Sequence, residues 1–286
     1  MAIADTPAEL TALQPKPVDA DARLLELHVF KGVPSGEQGD QLYTVPYVTG
    51  MVVLDAIHYI QKNVDTDLAC RWNCKAAKCG SCSAEVNGKP VLMCKTRVDD
   101  LHEGPITVRP MKTFPLIKDL VTDVSGNYAV NARIPGFRAA PDDGSPWRIP
   151  ERDLERLYEF RKCIECFLCQ DVCHVLRTHN LHERFYGPRF FVRTAYFEMH
   201  PKDVVDRTEQ MRDDGGIGYC NVTKCCTEVC PEHIHITDNA IIPIKERIGD
   251  RHWDPLRWLG RLARGGNNRA AAPDGAAPPP APPPVR

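Results

Sequence analysis

The stretch 163–173 reads CIECFLCQDVC, four cysteines at C-x2-C-x2-C-x3-C spacing. That spacing wraps thiolates around an iron–sulfur cube, and in paired-cluster proteins the fourth cysteine of such a run serves the other cluster. Cys163, Cys166 and Cys169 are therefore expected to share one [4Fe–4S] cluster, with Cys173 given to its neighbour. A second group, CNVTKCCTEVCP at 220–231, supplies Cys230 as the missing fourth thiolate and leaves Cys220 and Cys226 to join Cys173. Where the C-x2-C-x2-C pattern calls for a middle cysteine, this second group has Thr223. Three thiolates without a fourth favour [3Fe–4S]. A third constellation lies upstream: Cys74-x4-Cys79-x2-Cys82, with Cys94 available as fourth ligand, the spacing of a [2Fe–2S] site.

Two cysteines remain, Cys70 and Cys225. Cys70 precedes Cys74 by four residues and competes for the first position of its set. Cys225 adjoins Cys226, and sequence neighbours seldom point the same way. The bland alternative is zinc, which also takes four thiolates, but zinc usually takes pairs of ligands separated by a longer stretch.

The elements that must carry these loops are legible in outline. The segments 24–30 and 41–48 read as paired strands around the loop GVPSGEQGD, and 51–64 carries Val53, Ile57 and Ile60 on one face of a helix. After Cys82, SAEV and PVLMC flank Asn87-Gly88, a strong hairpin signal that returns Cys94 to the cysteine loop; 106–110 supplies a last strand. Gly80 admits backbone conformations that help three sulfurs converge. Residues 114–121 read as a short helical or extended piece. Helices are expected at 151–161, 189–199 and 201–211, and at 237–248 with a break near Pro243. The fold class expected is α+β: a β-grasp domain at 23–112, a linker at 113–150 and an all-α domain at 151–264. Residues 1–22 and the Pro/Ala-rich 265–286 are expected to be disordered tails.

Composition bounds the function. The chain has 286 residues, a net charge of −2 and 13 cysteines. That charge gives no argument for nucleic acid. No export signal, transit peptide or spanning apolar stretch is recognisable, which argues against structural disulfides. No G-x-G-x-x-G sits in a strand-to-helix setting, so no flavin or nicotinamide domain is expected.

A plant-type ferredoxin domain followed by a bacterial-type one, with three ligand sets in this order, resembles the iron–sulfur subunit of succinate dehydrogenase and fumarate reductase. The resemblance covers about residues 24–260, and RWNCKAAKCGSCSAEVNGKP, FRKCIECFLCQDVCHV and ITDNAIIPIKER look like its actinobacterial form. It implies an electron-transfer subunit between an FAD-containing flavoprotein and a membrane anchor that binds quinone, on the cytoplasmic face of the bacterial inner membrane. It also implies that the Cys74 set faces the flavin and the Cys173 set the quinone. The actinobacterial look favours menaquinone. The chain departs from familiar members at His174, where Pro is usual and a Trp follows, and at Asn221, where His is common. Quinone contacts therefore do not carry over. Cys82 stands where some relatives have Asp, so the first set is all-thiolate. The runner-up is the iron–sulfur subunit of another flavoenzyme, such as a heterodisulfide-reductase-like complex.

These spacings predict three clusters, about nine irons per chain, measurable by iron and acid-labile sulfide analysis with EPR of anaerobic protein. Cys70→Ser and Cys225→Ser are each expected to keep all three signals.

Overall fold

The computed structural model describes residues 23–101, 104–141 and 148–253. The expected tails lie outside these residues.

Alternation along the first strand decides which side of the sheet becomes core. In β1 (Leu24–Gly32), Leu25, Leu27 and Val29 are buried while their neighbours face outward. β2 (Gln38–Pro46) pairs antiparallel with β1 and adds Tyr43 and Val45. α1 (Val53–Asn63) follows and lays Val53, Leu54, Ala56, Ile57 and Ile60 in the same core. Its first turn is closed by Asp55, whose carboxylate accepts the Val52 N–H at 3.2 Å. The hairpin β3 (Ser83–Val86) and β4 (Lys89–Leu92) turns at Asn87 and Gly88, both at positive φ. β5 (Ile106–Arg109) runs parallel to β1 and antiparallel to β3, giving a mixed five-stranded sheet of order β2-β1-β5-β3-β4. This is the β-grasp layout expected from the sequence.

All four residues of β3 are buried, unlike the half-exposed pattern of β1. Ala84 and Val86 belong to the core. Ser83 and Glu85 are covered instead by the helical half, through Cys166 and Arg177.

Residues 113–141 are more ordered than the sequence suggests. β6 (Leu116–Lys118) and β7 (Val121–Thr122) form a small ribbon, the extended alternative of the two expected for this stretch. Asp119 in its turn is fully buried and accepts the backbone N–H groups of Gly32 and Ala69, which ties the ribbon to the first domain. α2 (Ser125–Arg133) follows; it buries only Asn127, so no apolar stripe announces it in the sequence.

The helical half comprises α3 (Glu151–Arg161), α4 (Leu168–Asp171), α5 (His174–Arg177), α6 (Pro188–Glu198), α7 (Thr208–Asp213), α8 (Cys225–Glu228) and α9 (Ile242–Trp253). α6 is its centre, with Phe190, Phe191, Val192 and Ala195 buried; Pro188 starts it, where a missing N–H costs nothing. A π-helical turn, Ile236–Ile241, packs on α6 and runs into α9. The expected break near Pro243 is this change of winding, since Pro243 in the first turn of α9 has no N–H to give.

The helix expected over 201–211 is shorter. Asp203 accepts the N–H groups of Val205 and Arg138, and Asp206 accepts that of Thr208, so short side chains outcompete the helical ladder until α7 begins. Arg207 completes this turn. It is 1% exposed and its guanidinium donates to the Pro135 and Gly136 carbonyls and to the Asp203 carboxylate at 2.8 Å, with Glu198 at 3.4 Å. Arg207→Ala leaves those carboxylates buried without a counter-charge and is expected to cost about 3–5 kcal/mol, read as a lower denaturant midpoint of the cluster-loaded chain.

Candidate iron–sulfur centres

The first loop is built to present sulfur to backbone donors. Cys74 Sγ accepts N–H groups from Ala76 at 3.3 Å and Lys78 at 3.4 Å, and Cys94 Sγ accepts from Ala77 at 3.3 Å. Lys75 and Ala77 both have positive φ, which turns successive N–H groups toward one point. Burial pushes Cys82 up to about 12, with Cys94 and Cys79 beside it adding to the rise. Burial also raises Cys79, but hydrogen bonds from Ser81 and Cys74 outweigh it and bring that thiol to about 7. Cys94 arrives from the end of β4, as the hairpin requires. Cys70 packs against the β-grasp core and donates to the Arg71 carbonyl; burial pushes it up to about 12.

The second set lines one cavity: Cys163, Cys166, Cys169 and Cys230, with Ile164, Phe167, Val192, Ile234 and Ile236 as apolar wall. Cys230 Sγ accepts the Ile234 N–H at 3.4 Å. Burial pushes Cys166 up to about 12 and Cys169 well above its ordinary range, and the neighbouring cysteines push in the same direction. Apolar walls and converging thiols are what a buried cube needs, because iron takes the proton's place on sulfur. The residues present fit the group.

In the third set Cys173 and Cys226 are buried, and Cys220 is partly so. Burial drives Cys173 to about 11 and Cys226 to about 12; Cys220 and Cys225 lie close enough to add to both. The backbone around Thr223 repeats that around Cys166. Glu165 and Phe167 flank Cys166 with φ of 56° and 61°; Val222 and Lys224 flank Thr223 with 62° and 65°. A short helix begins in the same register after each, α4 at Leu168 and α8 at Cys225. A β-branched residue at positive φ is a genuine outlier, and Val222 holds one. Thr223 thus stands at the backbone position Cys166 holds, with its hydroxyl 3.3 Å from Cys225 Sγ.

Residues other than the cysteines join the loops across the domains. Lys78 pairs with Glu232 at 3.0 Å, and Lys95 donates to the Pro231 carbonyl at 2.9 Å. Leu168, between Cys166 and Cys169, is 1% exposed and belongs to the β-grasp core. Arg177 forks onto the Glu85 carboxylate, and Asp171 accepts the Thr113 N–H at 3.0 Å. Burial pushes Asp171 up to about 7, against the opposing pull of that N–H and of Arg177. No sequence motif marks these contacts, because each partner lies far away in the chain.

A β-grasp domain with one cysteine loop, joined to a helical domain with two cysteine groups, defines a multi-cluster iron–sulfur electron carrier. Residues 26–129 match the 2Fe-2S iron-sulfur cluster binding domain family, and residues 159–234 match the 4Fe-4S dicluster domain family. The chain is 31% identical to the fumarate reductase iron-sulfur subunit of Haemophilus influenzae, over 75% of this chain and 90% of that one. It is 32% identical to the succinate dehydrogenase iron-sulfur subunit of Bacillus subtilis, over 69% and 82% respectively. Among solved structures, a chain of the Mycobacterium smegmatis Sdh1 complex in the apo form is similar at 53% identity and a TM-score of 0.79, over 82% of this chain and 99% of that one. The chain belongs to the family of succinate dehydrogenase and fumarate reductase iron–sulfur subunits, the electron-transferring subunits of an oxidoreductase complex. This membership stands against the heterodisulfide-reductase-like alternative.

Because four of the eleven assigned thiols are buried and the rest partly so, iron binding and packing of the helical half are coupled. Anaerobic treatment with an iron chelator is expected to expose the core around Phe190 and Phe191, giving dye binding and protease cleavage within 163–230. The cluster-loaded chain is expected to resist both.

Proposed function

We propose that this chain links an FAD-containing flavoprotein to a membrane anchor with a quinone site, in a succinate dehydrogenase or fumarate reductase at the cytoplasmic face of the bacterial inner membrane. Cys74, Cys79, Cys82 and Cys94 hold [2Fe–2S]; Cys163, Cys166, Cys169 and Cys230 hold [4Fe–4S]; Cys173, Cys220 and Cys226 hold [3Fe–4S]. The observation that carries the third assignment is the repeated backbone at 163–169 and 220–226, with Thr223 in the place of Cys166. When bound, the clusters supply one-electron relays between flavin and quinone, for which menaquinone is the favoured acceptor.

The residues of the chain supply the rest. Cysteine thiolates fix the sites in order, backbone N–H groups of Ala76, Ala77, Lys78 and Ile234 offset charge on sulfur, and the apolar walls exclude water. The flavoprotein is expected to meet the side bearing the Cys74 loop, and the anchor the side bearing the Cys173 set. Among the described residues no helix is long and apolar enough to cross a membrane, which agrees with attachment through a partner.

Purification with whatever chains accompany it tests this reading. Succinate oxidation is expected to require a flavin-bearing partner, and quinone reduction to require a membrane partner as well. Turnover of succinate by the single chain with an artificial acceptor would overturn it. Thr223→Cys tests the cluster type, because a threonine hydroxyl is a poor iron ligand beside sulfide and thiolate. The variant is expected to gain a fourth iron and lose the oxidised [3Fe–4S] EPR signal. Quinone reduction should slow while flavin reduction by succinate is kept. An unchanged [3Fe–4S] signal at full metal loading would require the third set to be redrawn.

A further inference from the structure

We infer that Gly80 and Ser83 are positioning residues for electron transfer, setting how closely the first cysteine loop approaches Cys166; this rests on the ligand assignment proposed above. Gly80 lies between Cys79 and Cys82 at φ +69°. A Cβ built there would stand 2.6 Å from Cys166 Cα, 2.9 Å from Cys166 Cβ and 3.0 Å from Cys166 N. These are main-chain and Cβ atoms that cannot swing aside, so a residue with any side chain at 80 must push the two loops apart. The glycine therefore does more than permit a left-handed turn. It lets one ligand-bearing backbone rest directly on another from a different domain.

Ser83 closes the same seam. Its hydroxyl is 2.8 Å from the Gly80 carbonyl and 2.9 Å from the Cys166 carbonyl, so its one proton is donated to both carbonyls in turn or shared between them. The side chain is 7% exposed, which keeps water from competing for either carbonyl. Leu168 in the β-grasp core and the Arg177–Glu85 pair hold the surrounding interface. The more exposed Lys78–Glu232 pair contributes little energy of its own.

Electron tunnelling between fixed carriers weakens exponentially with distance, and more steeply across space than along bonds. Between Cys79 and Cys82 on one side and Cys166 on the other, the close approach at Gly80 offers a through-space route, with a hydrogen-bonded route through Ser83 beside it. Both lie between the ligand sets assigned to [2Fe–2S] and [4Fe–4S].

The test uses the assembled complex carrying Gly80→Ala, Ser83→Ala or Ser83→Thr. Iron content and the EPR signals of dithionite-reduced protein are recorded first. Wild-type protein without separate [2Fe–2S] and [4Fe–4S] signals would overturn the ligand reading, and this inference with it. The main readout is power saturation of the reduced [2Fe–2S] signal, because a reduced neighbour speeds its relaxation in a steeply distance-dependent way. In Gly80→Ala the half-saturation power is expected to fall several-fold at wild-type iron content, and freeze-quenched electron arrival at the later clusters to slow several-fold. Ser83→Ala is expected to change both in the same direction by less, and Ser83→Thr, which keeps the hydroxyl, to restore wild-type values. If Gly80→Ala fails to hold [2Fe–2S], the two Ser83 variants decide alone. Wild-type saturation and wild-type kinetics in Ser83→Ala, or in a fully loaded Gly80→Ala, would overturn the inference.

Discussion

A thiolate removed from water loses hydration worth many kcal/mol unless a cation and hydrogen-bond donors replace it, and this chain buries several at once. Cys169, Cys173 and Cys226 are each under a tenth exposed, and burial, with the neighbouring cysteines adding to it, pushes their thiols well above the ordinary range. In the proposed assignment iron is the compensating cation; backbone N–H groups of Val175 and Leu176 reach Cys173, and the Thr237 hydroxyl lies 3.4 Å from Cys226 Sγ. The rest of the architecture follows from that requirement. Successive left-handed residues at 165 and 167, at 222 and 224, and at 75 and 77 aim the main chain inward. A regular helix or strand could not do so, because its N–H groups are spent on its own ladder.

The same requirement explains why the two domains share a boundary rather than a flexible joint. Central-run residues face opposite ways: Leu168 enters the β-grasp core, while Cys169 and Cys173 enter the helical one. β3 is buried on both faces for the same reason. Its outward residues Ser83 and Glu85 are polar because they meet the backbone of Cys166 and the guanidinium of Arg177, not solvent. Buried polar groups of this kind are tolerated when satisfied and expensive when not, so they fix one relative placement of the halves.

Strain is spent where it fixes chemistry. Val222 adopts a conformation that β-branched residues avoid, at the one place where the third loop must copy the second while lacking its middle thiol. The π turn before α9 is a further irregularity, and it packs against α6 beside the cysteine groups, with Thr237 Oγ1 3.4 Å from Cys226 Sγ. Irregular winding at such a place is the usual sign of a functional constraint.

The two kinds of cysteine-rich domain, the cysteine spacings and the oddity of Thr223 were all readable from the sequence, as were the β-grasp strands and the hairpin at Asn87-Gly88. Each depends on spacings of a few residues and on backbone preferences that act within a turn or two. The shortening of the helix before α7, the ordering of 113–141, and the roles of Asp119 and Arg207 were decided by tertiary structure. Short-range propensity at those positions is weak, and the deciding partners lie far away in the chain: Gly32 and Ala69 for Asp119, and Pro135 and Gly136 for Arg207. Gly80 shows the division most clearly. The sequence marks it as a glycine in a cysteine loop; only the packing of two domains sets it against Cys166, because no local pattern encodes what a missing side chain will touch.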